Sequence, residues 1–427
     1  MLELRKMMPH VVLAAAFVIF LQPVYFFAMA NVDRVLSHEK TWEHIREAFD
    51  SGILGGVHAG KKYINGGDRF TDCYSLGEGL QPEADATIRG IIAARPASEH
   101  HACDDLRDAA TSPTSANWSQ YARYWHGYRL YSAPLASAAP ILILKLINLA
   151  LLAVSTLAFF FQTSKLIGRR ETLLLCAPVL FCSDFVRIWQ VTPHTVSTAV
   201  IVGGSAIFAL ALRRQCSASA LILLAAAFGS VFNFVDFLVN PPWMPMLLAF
   251  FIMASGRDEA VRTAMICIGA WFSAYSFTWG SKWVFAHMVD PSFDIRSDVL
   301  TTMIFRIGGD NAKVLHIPLA ATIKVFGNSL VSWGTPLFGT LLFFCWKKIE
   351  IINFDRHTFA RRAWPALIPV FWFEILSNHS QIHAFFVSRS AAAAVGIILS
   401  SAAMAALIRV RPNAADLSRR NESLTTR

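Results

Sequence analysis

No two cysteines stand in CxxC spacing anywhere in the 427 residues, and no Cys/His grouping has zinc-site spacing, so neither a redox motif nor a zinc module is present. His379 and His383 are four apart, but Ser380 stands where the zinc-protease motif HExxH needs glutamate. No internal repeat recurs, which counts against transporter folds built from duplicated halves. Charge is sparse as well: 16% of residues are charged against 55% hydrophobic. The 38 basic residues outnumber the 29 acidic ones for a net charge of +9, but their distribution is not that of a nucleic-acid footprint.

Apolar stretches of membrane length are abundant. Residues 11–30 (VVLAAAFVIFLQPVYFFAMA) open a series that runs to about residue 408, and roughly 20 apolar residues suffice to cross a bilayer. The pattern predicts an all-α polytopic membrane protein of about ten spans: 10–30, 136–161, 171–185, 194–212, 219–235, 243–255, 261–285, 328–346, 364–378 and 389–408. The segments 171–185 and 243–255 are short enough to be tilted, broken or only partly inserted. Half of the 38 basic residues sit at alternate turns: Arg5 and Lys6; Lys165, Arg169 and Arg170; Arg213 and Arg214; Arg257 and Arg262; Lys347 to Arg362; and the tail from Arg409. The positive-inside bias assigns those turns, and both termini, to the cytoplasm. Ala28-Met29-Ala30 also offers a signal-peptidase site, but the apolar region is long for a signal peptide and favours a retained helix.

Four divisions follow: a first transmembrane helix (1–30), an extracytoplasmic loop subdomain (31–135), a multi-helix bundle (136–408) and a basic cytoplasmic tail (409–427). Pro82, Pro96 and Pro113 break the loop subdomain into short units, and Val32 to Phe49 reads as an amphipathic helix on the membrane surface. About 105 residues offer no large core of their own, so the loop is expected to lean on the bundle. Cys73 and Cys103 share it and can pair if the compartment is oxidising, whereas the other five cysteines lie in or near spans as small apolar packing residues.

Ionisable groups collect at the outer ends of the spans, where burial near membrane depth is costly unless a cavity or headgroup compensates. Asp68 and Asp72 share a face if both are helical, and can divide base and orienting or metal-contacting roles; otherwise they cap or solvate a loop. Arg123-Tyr124-Trp125-His126 reads either as an aromatic belt with snorkelling arginine or as a phosphate and sugar site. Lys282 and Lys145 lie within apolar segments and can snorkel, Lys282 being the better functional candidate beside Gly280 and Ser281. Asp236, before Asn240-Pro241-Pro242, either pairs with a cation or ends a helix. His379 and His383 suit hydrogen bonding at a headgroup better than metal ligation, and Arg389 can snorkel or bind phosphate.

Five segments, DRFTD (68–72), YARYWHGYRLYSAPL (121–135), DFLVNPPWMPMLL (236–248), AYSFTWGSKW (274–283) and HSQIHAFFVSR (379–389), resemble bacterial multispanning proteins associated with cell-surface polysaccharide genes. Their layout is similar to the GT-C superfamily of membrane glycosyltransferases. The resemblance implies transfer of a sugar from a polyprenyl-phosphate donor to a surface glycan or lipid acceptor at the outer face of the membrane. Asp72 would be the base, with Asp68 orienting it or contacting a divalent metal, Mg2+ or Mn2+. Arg123, Lys282 and Arg389 would hold the donor phosphate; Tyr124, Trp125, His126, Asp236, His379 and His383 would contact substrate. One departure stands out: alanine, Ala133, precedes Pro134 where the pattern has arginine, so either Arg129 substitutes or donor binding differs. A transporter or flippase of lipid-linked sugars, or a glycan polymerase or ligase, would draw on the same chemistry.

Overall fold

The structure, a computed structural model, describes residues 2–55, 68–98, 101–309, 314–332, 334–347 and 349–410. The basic tail from 411 onward, Lys348, and the side chains of Arg5, Lys6, Lys347 and Arg409 lie outside what is described. The chain is an all-α, multi-pass membrane protein. It opens with α1 (Leu2–Val32), after which a lobe carries α2 (His38–Asp50), α3 (Arg69–Leu76), α4 (Ala86–Ile91), α5 (Ala102–Thr111) and α6 (Arg129–Ala138). A two-residue antiparallel pair, β1 (Arg95–Pro96) with β2 (Trp118–Ser119), ties the lobe's middle together.

The bundle follows: α7 (Ile141–Ile167), α8 (Arg169–Phe181), α9 (Thr192–Arg213), α10 (Ala218–Val235), α11 (Trp243–Ala254) and α12 (Ala260–Val289). The last third is more broken: α13 (Ile295–Gly308), α14 (Ala320–Leu330), α15 (Thr335–Lys347), α16 (Arg356–Ala363), α17 (Ile368–Ile375), α18 (Ser377–Ile382) and α19 (Ala384–Ala405). Among the described residues five helices are long and apolar enough to cross a membrane: Pro9–Val35, α7, α9, α10 and α19. The other expected spans are shorter, interrupted or more polar. The segment 328–346 divides between α14 and α15, and 364–378 between a 3-10 turn at Trp364–Leu367, α17 and the start of α18. Past α19 the chain turns extended, and β4 (Ala406–Val410) pairs antiparallel with β3 (Ile349–Phe354), so the last helix stops short of the expected residue 408.

Helix α11 is one of the short members of the expected series. It is apolar on every side and buried from Trp243 to Met253, the signature of a core helix rather than a lipid-facing one. Its 12 residues rise about 18 Å, short of the roughly 30 Å hydrocarbon layer. The long helices close around it through small residues: a Cβ on Gly229 of α10 would sit 2.2 Å from the Trp271 carbonyl oxygen of α12, and one on Gly396 of α19 would sit 2.2 Å from that of Leu175 in α8. Close backbone approach replaces the hydrophobic effect as the source of helix association in lipid.

The lobe has a modest core, with Trp42, Ile45, Leu76, Cys103 and Leu106 buried together, and this core runs on to Ile141 and Leu144 at the start of α7. The disulfide Cys73–Cys103 joins α3 to α5 across a Cα separation of 5.0 Å. Helix α2 is amphipathic, as its sequence requires, but its apolar face (Trp42, Ile45, Ala48) packs into this core. That corrects the expectation that it lies on the membrane: a hydrophobic stripe specifies burial without specifying what covers it.

Candidate functional site

Where the lobe meets the broken ends of the bundle helices there is a cavity of about 540 Å3. Asp68 enters it from α3, Arg95 and Tyr121 from the lobe, Arg123 from the turn before α6, and Phe237 from the α10–α11 connection. Arg306 comes from α13, His379 and His383 from α18 and the residue after it, and His194 from the first turn of α9. Four of the eleven residues singled out from sequence therefore line one chamber: Asp68, Arg123, His379 and His383.

Asp68 is the N-cap of α3. Its carboxylate accepts the Thr71 N–H at 3.1 Å and the Thr71 hydroxyl, satisfying a backbone donor that the first helical turn leaves open. It is buried, and burial pushes its carboxyl above the ordinary value, with the Thr71 hydrogen bonds partly offsetting this. Behind it runs a chain of fixed polarity. Arg389 donates Nε–H and Nη2–H to the two oxygens of Asp184, each at 2.6 Å, a bidentate pairing. The same Nη2 lies 3.2 Å from Nδ1 of His194. Because arginine only donates, Nδ1 accepts and a neutral His194 carries its proton on Nε2, the atom 3.6 Å from Oδ2 of Asp68.

Arg306 shows the same logic. His379 Nε2 lies 3.0 Å from the Leu238 carbonyl oxygen, which can only accept, so the proton sits on Nε2 and Nδ1 receives Nη1–H of Arg306. The other branch, Nη2–H, donates to the Tyr124 hydroxyl at 2.9 Å. Leu238 presents its carbonyl from a left-handed conformation (φ 63°), held by Asp236, whose carboxylate accepts the Val239 N–H. Among the described residues no carboxylate pairs with Arg306: it is a buried guanidinium with neutral partners. Arg123 has Asp298 at 3.4 Å, and Arg95 lies over the Tyr74 ring at 3.8 Å. Three guanidiniums thus face one carboxylate, an arrangement that favours an anionic ligand.

The remaining expected site residues stand elsewhere. Asp72, one turn beyond Asp68, points away from the chamber and accepts a hydrogen bond from Lys145 of α7, which also donates to the Gln190 carbonyl at 2.8 Å. The two acids do not share a face because Asp68 is a cap with non-helical backbone (ψ 79°) rather than a member of the helix. Lys282 is fully buried, donating to the Ile91 carbonyl above the Trp125 ring. Trp125 is a core residue whose indole N–H reaches Thr278 O at 2.7 Å, and His126 sits between Glu78 and the Tyr121 carbonyl. Tyr124 supports Arg306, Asp236 holds the Leu238–Val239 turn, and Arg389 acts behind His194. Arg129, the proposed substitute before Pro134, is paired with Asp33 at 3.0 Å, its guanidinium lying over Gly79.

Sequence reasoning missed Arg306, Arg95 and His194. The first and last carried a usable signal: Arg306 is an isolated cation in the apolar run TTMIFRIG, and His194 opens an apolar helix. The chamber does not suit a divalent cation, since its one carboxylate stands among three guanidiniums, and no grouping of three His, Cys, Asp or Glu residues with metal-site geometry occurs among the described residues. A scan of protein-family models and searches of curated proteins and of solved structures find no match to this chain.

Proposed function

We propose that the chain is a membrane glycosyltransferase of GT-C type, moving a sugar from a polyprenyl-phosphate donor to a glycan or lipid acceptor at the outer face of a bacterial inner membrane. The observation that carries this reading is the buried carboxylate of Asp68 facing Arg95, Arg123 and Arg306, which among the described residues pairs with no carboxylate, across one chamber. Asp68, rather than Asp72, takes the proton of the acceptor hydroxyl; the acceptor oxygen bonds to the anomeric carbon as the bond from that carbon to the donor phosphate breaks. The guanidiniums offset the charge left on the departing phosphate, and Tyr74, Tyr121 and Phe237 supply faces for sugar rings.

Ten spans with both termini cytoplasmic accord with basic residues at alternate turns, counting the interrupted helices as spans. The Cys73–Cys103 disulfide supports an oxidising compartment for the lobe. A flippase of lipid-linked sugars is the second reading, favoured by the interruptions between α14 and α15 and through α17, α18 and α19. A polymerase or ligase would differ only in acceptor.

The test is sugar transfer from defined polyprenyl-phosphate sugars by the purified protein in proteoliposomes. Asp68→Asn is expected to lower turnover about 10^2- to 10^4-fold. Unchanged transfer would remove Asp68 as base, and lipid-linked sugar crossing the vesicle membrane without transfer would favour the flippase.

A further inference from the structure

Helix α13 is built the wrong way round for a water-soluble surface. Leu300, Met303, Ile304 and Ile307 follow i, i+3, i+4, i+7 spacing and point outward, Ile304 being 64% exposed and Ile307 51%. The face turned to the protein is the polar one: Asp298 receives the Trp283 indole N–H at 2.9 Å, Thr302 is 2% exposed, and Arg306 enters the chamber. Such a helix needs an apolar medium outside and a polar cavity inside.

That medium is not a transmembrane path, because 14 residues extend only about 21 Å. Other apolar side chains are exposed on either side of α13 in the chain. Leu315, Ile317 and Ile323 follow beyond α13, and Met288 at the end of α12 precedes it, all more than half exposed. The charged residues on the outside of α13 lie at its start, where Asp294 and Arg296 are exposed with Ser297.

We propose that α13 is an in-plane interfacial helix whose partner is the phospholipid bilayer: Arg296 lies at headgroup level and Leu300 to Ile307 at the acyl boundary, while Arg306 on the other face lines the chamber. The bilayer is favoured over a second copy or a partner helix because α12, the preceding helix, also exposes large apolar side chains (Phe277, Val284 and Met288), and because the exposed cation Arg296 precedes the exposed apolar residues along α13 as an interface orders them. This assignment does not depend on the transferase reading.

The test uses the full chain with its unpaired cysteines replaced by serine and Cys73–Cys103 kept, in nanodiscs of phosphatidylethanolamine and phosphatidylglycerol. A bimane fluorophore is attached at Ile304→Cys or, separately, at Arg296→Cys. Doxyl-labelled lipid is expected to quench the probe at 304 at least about threefold more than aqueous iodide does, as interfacial immersion requires, with the order reversed at 296. Leu300→Cys repeats the measurement if Ile304→Cys fails to fold. Iodide quenching at 304 equal to that at 296 would overturn the proposal, as would protection from both quenchers, which would mean that a second copy or another protein covers the face. Depth is read without turnover, so failure here and failure of the transferase reading are separate results.

Discussion

Asp72→Asn separates architecture from chemistry at this site. Asp72 and Lys145 are both buried, with side chains 8% and 5% exposed, and among the described residues the lysine's other hydrogen bond goes to the Gln190 carbonyl. Burial, the larger effect, pushes the Asp72 carboxyl above its ordinary value, and Lys145 partly offsets this, so each member of the pair has the other as its charged neighbour. Replacing it leaves an ammonium in a protein interior with one carbonyl, and breaking a buried pair from one side costs about 3–5 kcal/mol. Removing both charges costs far less, because neither is then left unpaired. Asp72→Asn should therefore lower the apparent Tm strongly, and Asp72→Asn combined with Lys145→Met should recover most of the loss. The assay is thermal unfolding in nanodiscs as a double-mutant cycle, with sugar transfer measured on the same four proteins below their Tm. The double variant should remain active, since Asp68 faces the chamber and Asp72 does not. An Asp72→Asn protein as stable as the wild type but inactive would refute this and return the base role to Asp72.

Two further outcomes are expected. Gly229→Val forces α10 off α12, where a Cβ already falls 2.2 Å from the Trp271 carbonyl oxygen; overpacking of about 1–3 kcal/mol or more should appear as a lower Tm, and an unchanged Tm would show that this crossing yields. Asp68 must be ionised to act as a base and burial raises its pKa, so kcat/KM should fall on acidification above the ordinary carboxylate value of about 3.9. The sign for stability is opposite. A raised folded-state pKa stabilises below the unfolded value and is lost as pH rises through the folded one, so Asp68→Asn should be the more stable protein at neutral pH while being the less active. An acid limb at or below 3.9 would contradict the burial argument.

Hydropathy is a property of a window of sequence, and α1, α7, α9, α10 and α19 are visible in it because an apolar helix satisfies its own backbone wherever it lies. The pairing of Cys73 with Cys103 was an open possibility for a related reason, two cysteines in one loop. Four polar residues that share the chamber, Asp68, Arg123, His379 and His383, were legible because charge near membrane depth is costly and rare. What stayed hidden depends on direction. The reading of Asp68 and Asp72 as one face assumes helical backbone at both, and the cap conformation of Asp68 breaks that assumption. Lys282 and Arg306 are each a cation late in a helix among mostly apolar residues, alike by composition; packing sends one to the Ile91 carbonyl and the other into the chamber. Helices α2 and α13 are likewise both amphipathic, and only their neighbours decide that α2 buries its apolar stripe in the lobe while α13 turns its own outward. By itself the sequence determined which segments leave water; which way each polar group then faces was decided by the tertiary structure, because a side chain's cost depends on the partner across from it and that partner is set by packing between distant segments.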